Sequence, residues 1–337
     1  MPEIYIKRTG AIGRITLSRP KALNSLTGKM LSQIEIALDN WENDPAIAAV
    51  VVDAEGDKAF CAGGDITDIY KQGKKKNYRY GQKFWADEYR LNLKIARYKK
   101  PYLAFMQGFT MGGGVGISCH GSHRIVGENS IISMPECGIG LVPDVGGSFL
   151  LARLEKNVGA YLGTTAFRMD AGDSIFCKFA DHYIPIEQWP HTIKELATHG
   201  DVEYAINKYQ RETPKSQLRQ IVPIIEEVMQ PNDYSRLEER MSKYSQLAIG
   251  LNNLKRNSPL SVAFTYSMLK MPEVSRDIES ALGIEYRYTS RAQEETDFLE
   301  GIRAMVIDKD RAPQWKHKSL SEVKIEEIAA LLAPLNN

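Results

Sequence analysis

The sequence is poor in the features that mark secreted and membrane proteins. Only four cysteines occur among 337 residues, and no two of them form a Cys-x-x-Cys pair. Such spacing favours a reduced intracellular protein over a disulfide framework. The N-terminal residues lack the apolar stretch of a secretory signal, and no run approaches the roughly 20 apolar residues of a membrane span. We therefore expect a cytoplasmic protein without a membrane partner, although a processed organellar protein would show the same pattern.

The charge balance removes a further class of partner. The chain carries 43 Lys and Arg against 42 Asp and Glu, for a formal net charge of +1. Nucleic-acid-binding domains usually show a basic excess, so we expect no nucleic-acid partner. The hydrophobic fraction of 43% is sufficient for a packed core, which argues against global disorder.

Several catalytic signatures are missing as well. The sequence has no phosphate-binding G-x-x-x-x-G-K-[ST], no nucleophile elbow G-x-S-x-G and no zinc motif H-E-x-x-H. A dinucleotide fingerprint cannot be read through the glycines at 112–116, because Ile117, Ser118 and Cys119 stand where its last glycine would fall. Cys61 and Cys137 have no histidine close in sequence and are interpreted as core residues. We expect no metal and no cofactor.

The most informative stretch runs from Gly108 to Asp144. Glycines at positions 112, 113, 114 and 116 follow the apolar run Tyr102–Met106. This pattern predicts a strand that leads into a small-residue helix over Gly113–Cys119. Backbone N–H groups at the start of such a helix attract negative charge. Taken alone, the glycines fit a tight packing joint between strand and helix equally well.

A second glycine pair repeats this arrangement. The segment Phe60–Ile66 reads FCAGGDI, which places Gly63 and Gly64 before a helix capped near Asp65. Two strand-to-helix joints predict a pair of backbone donors that converge on one oxygen. Acyl transfer at a thioester or amide develops charge on the carbonyl oxygen, and preorganised backbone donors stabilise it.

Two acids close the informative stretch. Glu136 follows Pro135 and Asp144 follows Pro143, in a segment too rich in glycine and proline for regular helix. Neighbouring carboxylates push each other's pKa values apart, which allows them different roles. We interpret Glu136 as a nucleophile or general base beside a carbonyl carbon.

A third acid stands out by its position on a helix. Over the helical pattern Gln82–Lys99, Glu88 shares one face with apolar Phe84, Leu91 and Ile95. A buried acid is costly unless it is partnered, protonated or next to a polar cavity. Glu88 is therefore a candidate site residue, with a partly exposed edge position as the alternative.

The remaining patterns outline an α/β protein. Alternation at Glu3–Lys7 and Ile12–Ser18 predicts a β-hairpin, Met30–Trp41 has helical spacing, and Ala48–Asp53 is typical of a buried strand. The basic segment Lys71–Arg79 is interpreted as a mobile, solvated loop. We expect an α/β core over residues 1–200 that carries the active site, and a helical extension over residues 201–337 packed on it.

Five segments carry a resemblance to one superfamily. They are SRPKALNSL at Ser18–Leu26, FCAGGDI at Phe60–Ile66, TMGGGVGISCHG at Thr110–Gly121, MPECGIGLVPDVGGS at Met134–Ser148 and IDKDRAPQWK at Ile307–Lys316. Together they span nearly the whole chain and are far more specific than any single glycine run. On these motifs the chain resembles the crotonase superfamily, which contains the enoyl-CoA hydratases and isomerases. The resemblance implies an α/β fold built as a spiral of ββα units, with a C-terminal helical region.

The resemblance also implies roles for particular residues. By position, the family's oxyanion-hole amides correspond to Gly64 and Gly113. Its acid pair corresponds to Glu136 and Asp144, and the substrate-binding glutamate of its hydrolase subgroup corresponds to Glu88. Coenzyme A, carried as part of the substrate, is implied to contact four further residues: Lys21, Ala22, Leu23 and Ala62.

One departure from the family pattern bears on the reaction. Hydratases of the superfamily carry a glutamate two places after the glycine run, where this chain has Gly116. Adding water across a double bond needs two acids, and Asp144 stands in a turn where hydratases usually have glycine. The resemblance therefore implies thioester hydrolysis, and the nearest subgroup cleaves 3-hydroxyisobutyryl-CoA in valine breakdown.

Two alternatives stay open at this point. The first is an enoyl-CoA hydratase or isomerase, and the second is a non-catalytic CoA-binding protein on the same scaffold. The expected partner is in each case a small-molecule acyl-CoA. The trimers of the superfamily also indicate a homo-oligomer, whose size the sequence leaves open.

Overall fold

The structure is a computed structural model that describes residues 2–335. These residues form two compact units. The first, called the sheet unit, runs from the start of the described chain to Gly64 and includes Arg90–Ser133 and Arg168–Arg219. The second, called the helical unit, contains Asp65–Tyr89, Met134–Phe167 and the chain from Gln220 onwards. The predicted division at residue 200 is a different partition and stays a prediction.

All strands of the described residues lie in the sheet unit. They are β1 (Ile4–Thr9), β2 (Ile12–Leu17), β3 (Ala49–Ala54), β4 (Ala59–Cys61), β5 (Tyr102–Phe105), β6 (Phe109–Met111), β7 (His123–Val126), β8 (Ile131–Ser133) and β9 (His182–Tyr183). A six-stranded sheet has the order β1-β2-β3-β5-β7-β9, and a three-stranded sheet has the order β4-β6-β8. Only the pair β1–β2 is antiparallel.

Helices account for most of the remaining chain. They are α1 (Gly28–Glu42), α2 (Thr67–Lys74), α3 (Tyr78–Ala96), α4 (Gly113–Ser118), α5 (Gly147–Ala152), α6 (Val158–Thr165), α7 (Ala171–Phe176), α8 (Trp189–His199), α9 (Val202–Tyr209), α10 (Leu218–Met229), α11 (Leu237–Ser242), α12 (Ala248–Leu254), α13 (Pro259–Met268), α14 (Pro272–Arg276), α15 (Ile278–Thr289), α16 (Ala292–Glu295), α17 (Phe298–Ile302) and α18 (Ile325–Leu332). A 3₁₀ segment covers Glu136–Ile139, and a π-helical segment covers Arg303–Ile307. None of these helices is long and apolar enough to cross a bilayer.

The local patterns of the N-terminal region are confirmed. Residues of β1 and β2 pair as the predicted hairpin, and β3 follows as a largely buried strand paired parallel to β2. Helix α1 starts after Thr27, whose hydroxyl accepts from the Met30 amide and so satisfies one of the free donors of the first turn.

The core of the sheet unit is formed by one face of the larger sheet and by helices α8 and α9. Trp189 packs edge-on against Phe105, with ring centroids 5.4 Å apart. The aliphatic side chains around them are almost completely buried, which is the main favourable term for folding. The cluster consists of Ile12, Ala49, Val51, Leu103, Phe105, Ile125, Ile184, Trp189, Ile193, Leu196, Val202, Ala205 and Ile206.

The chain segment before the glycine cluster differs from the prediction. The apolar run at Tyr102–Met106 does form a strand, β5, but the strand that enters the glycines is β6. Strand β6 has three residues, which is too few to show the alternation of a strand, and the preceding Gly108 is a residue that usually indicates a turn. The glycines at 112–114 therefore follow the smaller sheet and lead into α4.

The basic segment Lys71–Arg79 is not the loop that was predicted. Helix α2 continues through Lys74 and α3 begins at Tyr78, so only residues 75–77 form a turn. Ile69 is buried, and a β-carbon on Gly73 would lie 2.8 Å from side-chain atoms of Gln293 and Leu299. The apolar face of α2 thus packs within the helical unit, while its lysines remain on the outer face. The loop was predicted from the high basic charge of this segment, and the amphipathic pattern of α2 was overlooked.

Candidate active site

The two glycine joints lie side by side in the sheet unit. Strands β4 and β6 are parallel neighbours, with Cys61 paired to Thr110. A β-carbon placed on Gly63 would lie 3.8 Å from the amide nitrogen of Gly113. One placed on Gly114 would lie 2.3 Å from the carbonyl oxygen of Cys61, so only glycine permits this approach. The two segments that carry Gly64 and Gly113 are therefore adjacent, while the convergence of their amides on one oxygen stays a prediction.

The residues implied to contact coenzyme A also meet in the sheet unit. Lys21 and Ala22 lie in a 3₁₀ turn over Pro20–Ala22, and Leu23 follows it with a left-handed backbone. The amide of Ala62 donates to the carbonyl of Leu23 at 3.0 Å. This bond joins the two segments, and Leu23 is 37% exposed. A ligand role for these residues stays a prediction.

The three predicted acids lie together in the helical unit. Glu88 on α3 is 3% exposed, Glu136 at the start of the 3₁₀ segment is 5% exposed, and Asp144 is 4% exposed. The edge position considered for Glu88 is therefore wrong. One carboxyl oxygen of Glu88 and one of Glu136 have no hydrogen-bond partner in the described chain. Buried polar atoms without partners cost free energy, and they are typical of sites that await a polar ligand or water.

Burial shifts the pKa values of all three acids upward, and charge repulsion adds to this shift for the two glutamates. Burial, followed by the charge of Asp144, raises the pKa of Glu136 and of Glu88 well above the ordinary range. Burial raises the pKa of Asp144 to about 7, against hydrogen bonds that lower it. No lysine or arginine within residues 2–335 forms an ion pair with any of the three. Buried carboxyls with raised pKa values are typical of functional sites, and for Asp144 the pKa lies near neutral pH, where general bases work best.

The carboxylate of Asp144 has partners that the sequence analysis missed. The hydroxyl of Tyr89 donates to its Oδ2 atom at 2.8 Å. The turn that follows Asp144 is held by Glu285, which accepts from the amides of Gly146 and Ser148 at 2.9 and 3.1 Å. A signal for Glu285 was present, because it is an acid on the buried apolar face of α15, the same anomaly that singled out Glu88.

The Cys137 thiol and the His123–His182 pair are not candidate catalytic groups. Burial raises the pKa of Cys137 to about 12, which makes its thiol a poor nucleophile. His123 stacks on His182 with ring centroids 5.9 Å apart in the sheet unit. Among residues 2–335, no group of three or more His, Cys, Asp or Glu side chains is arranged to hold a metal ion.

The raised pKa of Asp144 predicts an effect on stability. A carboxyl whose native pKa exceeds its unfolded value stabilises the fold while protonated and loses that contribution as pH rises through the native pKa. Asp144→Asn cannot ionise. The unmodified protein should lose stability between pH 5 and pH 8 as Asp144 ionises, and the variant lacks this loss. We therefore expect the free energy of unfolding of Asp144→Asn, minus that of the unmodified protein, to rise by about 2–3 kcal/mol from pH 5 to pH 8. Urea unfolding at several pH values measures this difference.

Asp277 supplies the control for this measurement. It caps α15 by accepting from the amide of Ser280, and this hydrogen bond is the largest of the interactions that lower its pKa to about 2. Asp277→Asn should therefore shift the free energy of unfolding by the same amount at pH 5 and pH 8. A pH-independent difference for Asp144→Asn as well would contradict the raised pKa.

Comparison with known protein families now adds to this geometry. Residues 12–332 match the model of the family described as enoyl-CoA hydratase/isomerase. The chain belongs to the enoyl-CoA hydratase/isomerase family. This result confirms the superfamily resemblance that the motifs indicated.

Two curated relatives carry the same name. The protein named "3-hydroxyisobutyryl-CoA hydrolase, mitochondrial" from Gallus gallus is 34% identical, over 99% of this chain and 90% of its own length. The protein of the same name from Rattus norvegicus is 36% identical over the same shares.

Solved structures of the family give a closely similar fold under other names. An enoyl-CoA hydratase from Rhodobacter sphaeroides is 46% identical with a TM-score of 0.94, covering 99% of this chain and 98% of that one. A carnitinyl-CoA dehydratase from Mycobacterium thermoresistibile is 33% identical with a TM-score of 0.94, covering 100% and 98%. The mixed α/β, crotonase-type fold is therefore confirmed.

Proposed function

We propose that this protein hydrolyses short 3-hydroxyacyl-CoA thioesters, with 3-hydroxyisobutyryl-CoA as the leading substrate. The observation that carries the proposal is the buried acid pair Glu136 and Asp144, combined with glycine at position 116. A hydratase needs its second acid at 116, whereas an acid facing a thioester carbonyl is sufficient for acyl transfer. The names of the curated relatives support the same reaction.

The proposed mechanism assigns each predicted residue one task. The amides of Gly64 and Gly113 donate to the thioester oxygen and stabilise the charge that develops there. Glu136 either attacks the carbonyl carbon, forming an anhydride that water then cleaves, or removes a proton from an attacking water. In both routes the carbon–sulfur bond breaks and the sulfur leaves with a proton as CoA thiol. In the direct route the water oxygen ends in the acid product. In the anhydride route it ends in the product if water attacks the acyl carbonyl, and in Glu136 if water attacks the carbonyl of that residue. Asp144 orients the water or the acyl hydroxyl.

Glu88 is proposed to recognise the acyl hydroxyl. Its pKa is raised well above the ordinary range, chiefly by burial, and one of its carboxyl oxygens has no partner in residues 2–335. A protonated Glu88 can both donate to and accept from an alcohol. This choice explains why a buried acid without a basic partner is tolerated on the apolar face of α3.

The three buried acids should make the enzyme discriminate between two acyl-CoA thioesters with the same carbon skeleton. Methylmalonyl-CoA carries a carboxylate where 3-hydroxyisobutyryl-CoA carries a hydroxymethyl group. Within residues 2–335 no lysine or arginine interacts with Glu88, Glu136 or Asp144, so a fourth carboxylate there would be repelled. We expect kcat/KM for the hydroxy substrate to be higher by at least about 10²-fold. Thiol release from the two thioesters at equal concentration measures this ratio.

Glu88→Gln tests the origin of the discrimination. Removing one ionisable group from the cluster should lower the ratio of kcat/KM between 3-hydroxyisobutyryl-CoA and methylmalonyl-CoA. It should also raise KM for 3-hydroxyisobutyryl-CoA. Isobutyryl-CoA, which has neither group, controls for binding of the carbon skeleton alone. Equal turnover of methylmalonyl-CoA and 3-hydroxyisobutyryl-CoA by the unmodified enzyme would remove this account of specificity.

Enoyl-CoA hydration is the second candidate. The Rhodobacter sphaeroides structure, which is named an enoyl-CoA hydratase, is 46% identical, above the 34–36% of the curated hydrolases. Gly116 argues against hydration, because hydratases of the superfamily carry a glutamate at this position. A non-catalytic CoA-binding protein would have no need for a buried Glu136 with one carboxyl oxygen left without a partner in residues 2–335.

Location and assembly complete the proposal. The curated relatives are named as mitochondrial proteins, so the cytoplasmic location expected from the sequence stays a prediction. A homo-oligomer and a place in valine breakdown are likewise proposed on the resemblance and on the relatives' names.

A further inference from the structure

Helix α15 carries no predicted site residue, yet it brings two buried polar side chains to the turn that holds Asp144. Glu285 and Thr289 lie one helical turn apart, and both are 0% exposed. The Glu285 carboxylate accepts from the Gly146 amide at 2.9 Å, from the Ser148 amide at 3.1 Å and from the Ser148 hydroxyl. One acid therefore holds two backbone amides of the same turn.

The turn requires such support because its backbone is unfavourable. Val145 has φ 54° and Gly146 has φ 75°, so two consecutive residues are left-handed. Glycine adopts this conformation freely, but a β-branched residue does so only at a cost. Strained positions persist where surrounding contacts over-determine them. The bonds from Glu285 supply these contacts directly after Asp144.

A chain of two hydroxyl groups also reaches the Asp144 carboxylate. The Tyr89 oxygen lies 2.8 Å from Asp144 Oδ2 and 3.2 Å from Thr289 Oγ1. A phenol has one proton. When Tyr89 gives it to the carboxylate, the Thr289 hydroxyl must donate to the Tyr89 oxygen. Burial, followed by the charge of Asp144, raises the pKa of Tyr89 well above its usual range, so the phenol remains a proton donor at neutral pH.

We propose that Glu285, Thr289 and Tyr89 form a clamp that positions the Asp144 carboxylate for the reaction. Glu285 holds the backbone of the turn, and Thr289 acts through Tyr89 on the carboxylate itself. None of the three is assigned a contact with substrate. They are positioning residues, and the kinetic part of this inference rests on the proposed hydrolase function.

The first test removes the hydroxyl of Tyr89. Tyr89→Phe keeps the ring, whose centroid lies 6.1 Å from that of Tyr286. We expect kcat for 3-hydroxyisobutyryl-CoA to fall about 10- to 100-fold with KM changed less than about twofold, since a misplaced catalytic group affects the chemical step. Tyr266→Phe is the matched control, because this buried tyrosine of the helical unit donates to the carbonyl of Met229 at 2.7 Å. Its kcat should equal that of the unmodified enzyme.

The second test uses a conservative rescue at Thr289. Thr289→Val keeps the shape and loses the hydroxyl, whereas Thr289→Ser keeps the hydroxyl and loses a methyl group. The clamp predicts a reduced kcat for the valine variant and near-normal kcat for the serine variant. A merely structural role predicts the reverse order, because serine leaves a small cavity. Wild-type kcat in Tyr89→Phe, or the reverse order at Thr289, would overturn the assignment.

A readout without turnover separates this inference from the proposed function. The carboxyl ¹³C resonance that disappears in Asp144→Asn reports the titration of Asp144. Losing the donor at Tyr89 should raise the pKa of Asp144, while Tyr266→Phe should leave it unchanged. Absence of thiol release by the unmodified protein would remove the proposed function only. An unchanged Asp144 titration in Tyr89→Phe would overturn the clamp.

Discussion

Replacement of Glu136 by glutamine is expected to lower kcat for thiol release from 3-hydroxyisobutyryl-CoA by about 10³-fold or more. An amide can neither attack the carbonyl carbon nor take a proton from water, so both routes of the mechanism fail together. Glutamine has nearly the same volume as glutamate, and KM should change little. Stopped-time thiol assays over a range of substrate concentrations give both constants.

A buried acid that has no role in the proposed mechanism, Asp297 of the helical unit, controls for the loss of a carboxylate as such. Asp297 is 2% exposed and accepts from the Ser258 hydroxyl at 2.6 Å and from the Lys316 amide at 2.9 Å. Asp297→Asn should therefore lower the melting temperature while keeping kcat. The account fails if Glu136→Gln retains a rate within about tenfold of the unmodified enzyme, since general-base catalysis alone contributes more than this.

The second large effect is expected from a single methyl group at Gly114. Its β-carbon would lie 2.3 Å from the Cys61 carbonyl oxygen and 3.0 Å from the Cys61 β-carbon, so β4 and α4 must move apart in Gly114→Ala. This shift displaces the amides of Gly64 and Gly113 relative to each other. Loss of one oxyanion donor costs about 10²–10³ in kcat, and we expect a decrease of this size.

Gly283 provides the matched control. It lies in α15, and a β-carbon there meets nothing within 4 Å beyond its chain neighbours and the nearby backbone of its own helix. Gly283→Ala should keep full activity and stabilise the protein by about 0.5–1 kcal/mol, the usual gain from alanine in a helix. Circular dichroism establishes that both variants are folded before rates are compared. A folded Gly114→Ala enzyme with normal kcat would contradict the assignment of the oxyanion donors.

Local sequence patterns were sufficient to predict the helices and strands that are long enough to show a hydrophobic period. The hairpin of β1 and β2, helix α1 and strand β3 all followed from spacing and turn residues. The buried acid Glu88 was recognised because α3 is long enough to show which face is apolar. An acid among apolar side chains on a buried helix face departs from the usual pattern, and such departures are typical of functional sites.

The features that were missed depend on contacts between distant residues. Strands β4, β6 and β8 have three residues each, and their pairing is long-range. Tyr89 lies 55 positions from Asp144 and 200 from Thr289 in the chain. No local spacing could relate these residues. The helical character of Lys71–Lys74 was missed because the buried face of α2 has only Ile69 and Gly73.

A direct comparison of two reactions tests the central claim. The unmodified enzyme is given 3-hydroxyisobutyryl-CoA and, separately, crotonyl-CoA, while free thiol and the absorbance of the enone are followed in both. Hydrolysis guided by Glu136 predicts rapid thiol release from the hydroxy thioester and a stable enone absorbance. Loss of the enone absorbance without thiol release from either compound would show a hydratase and contradict the account.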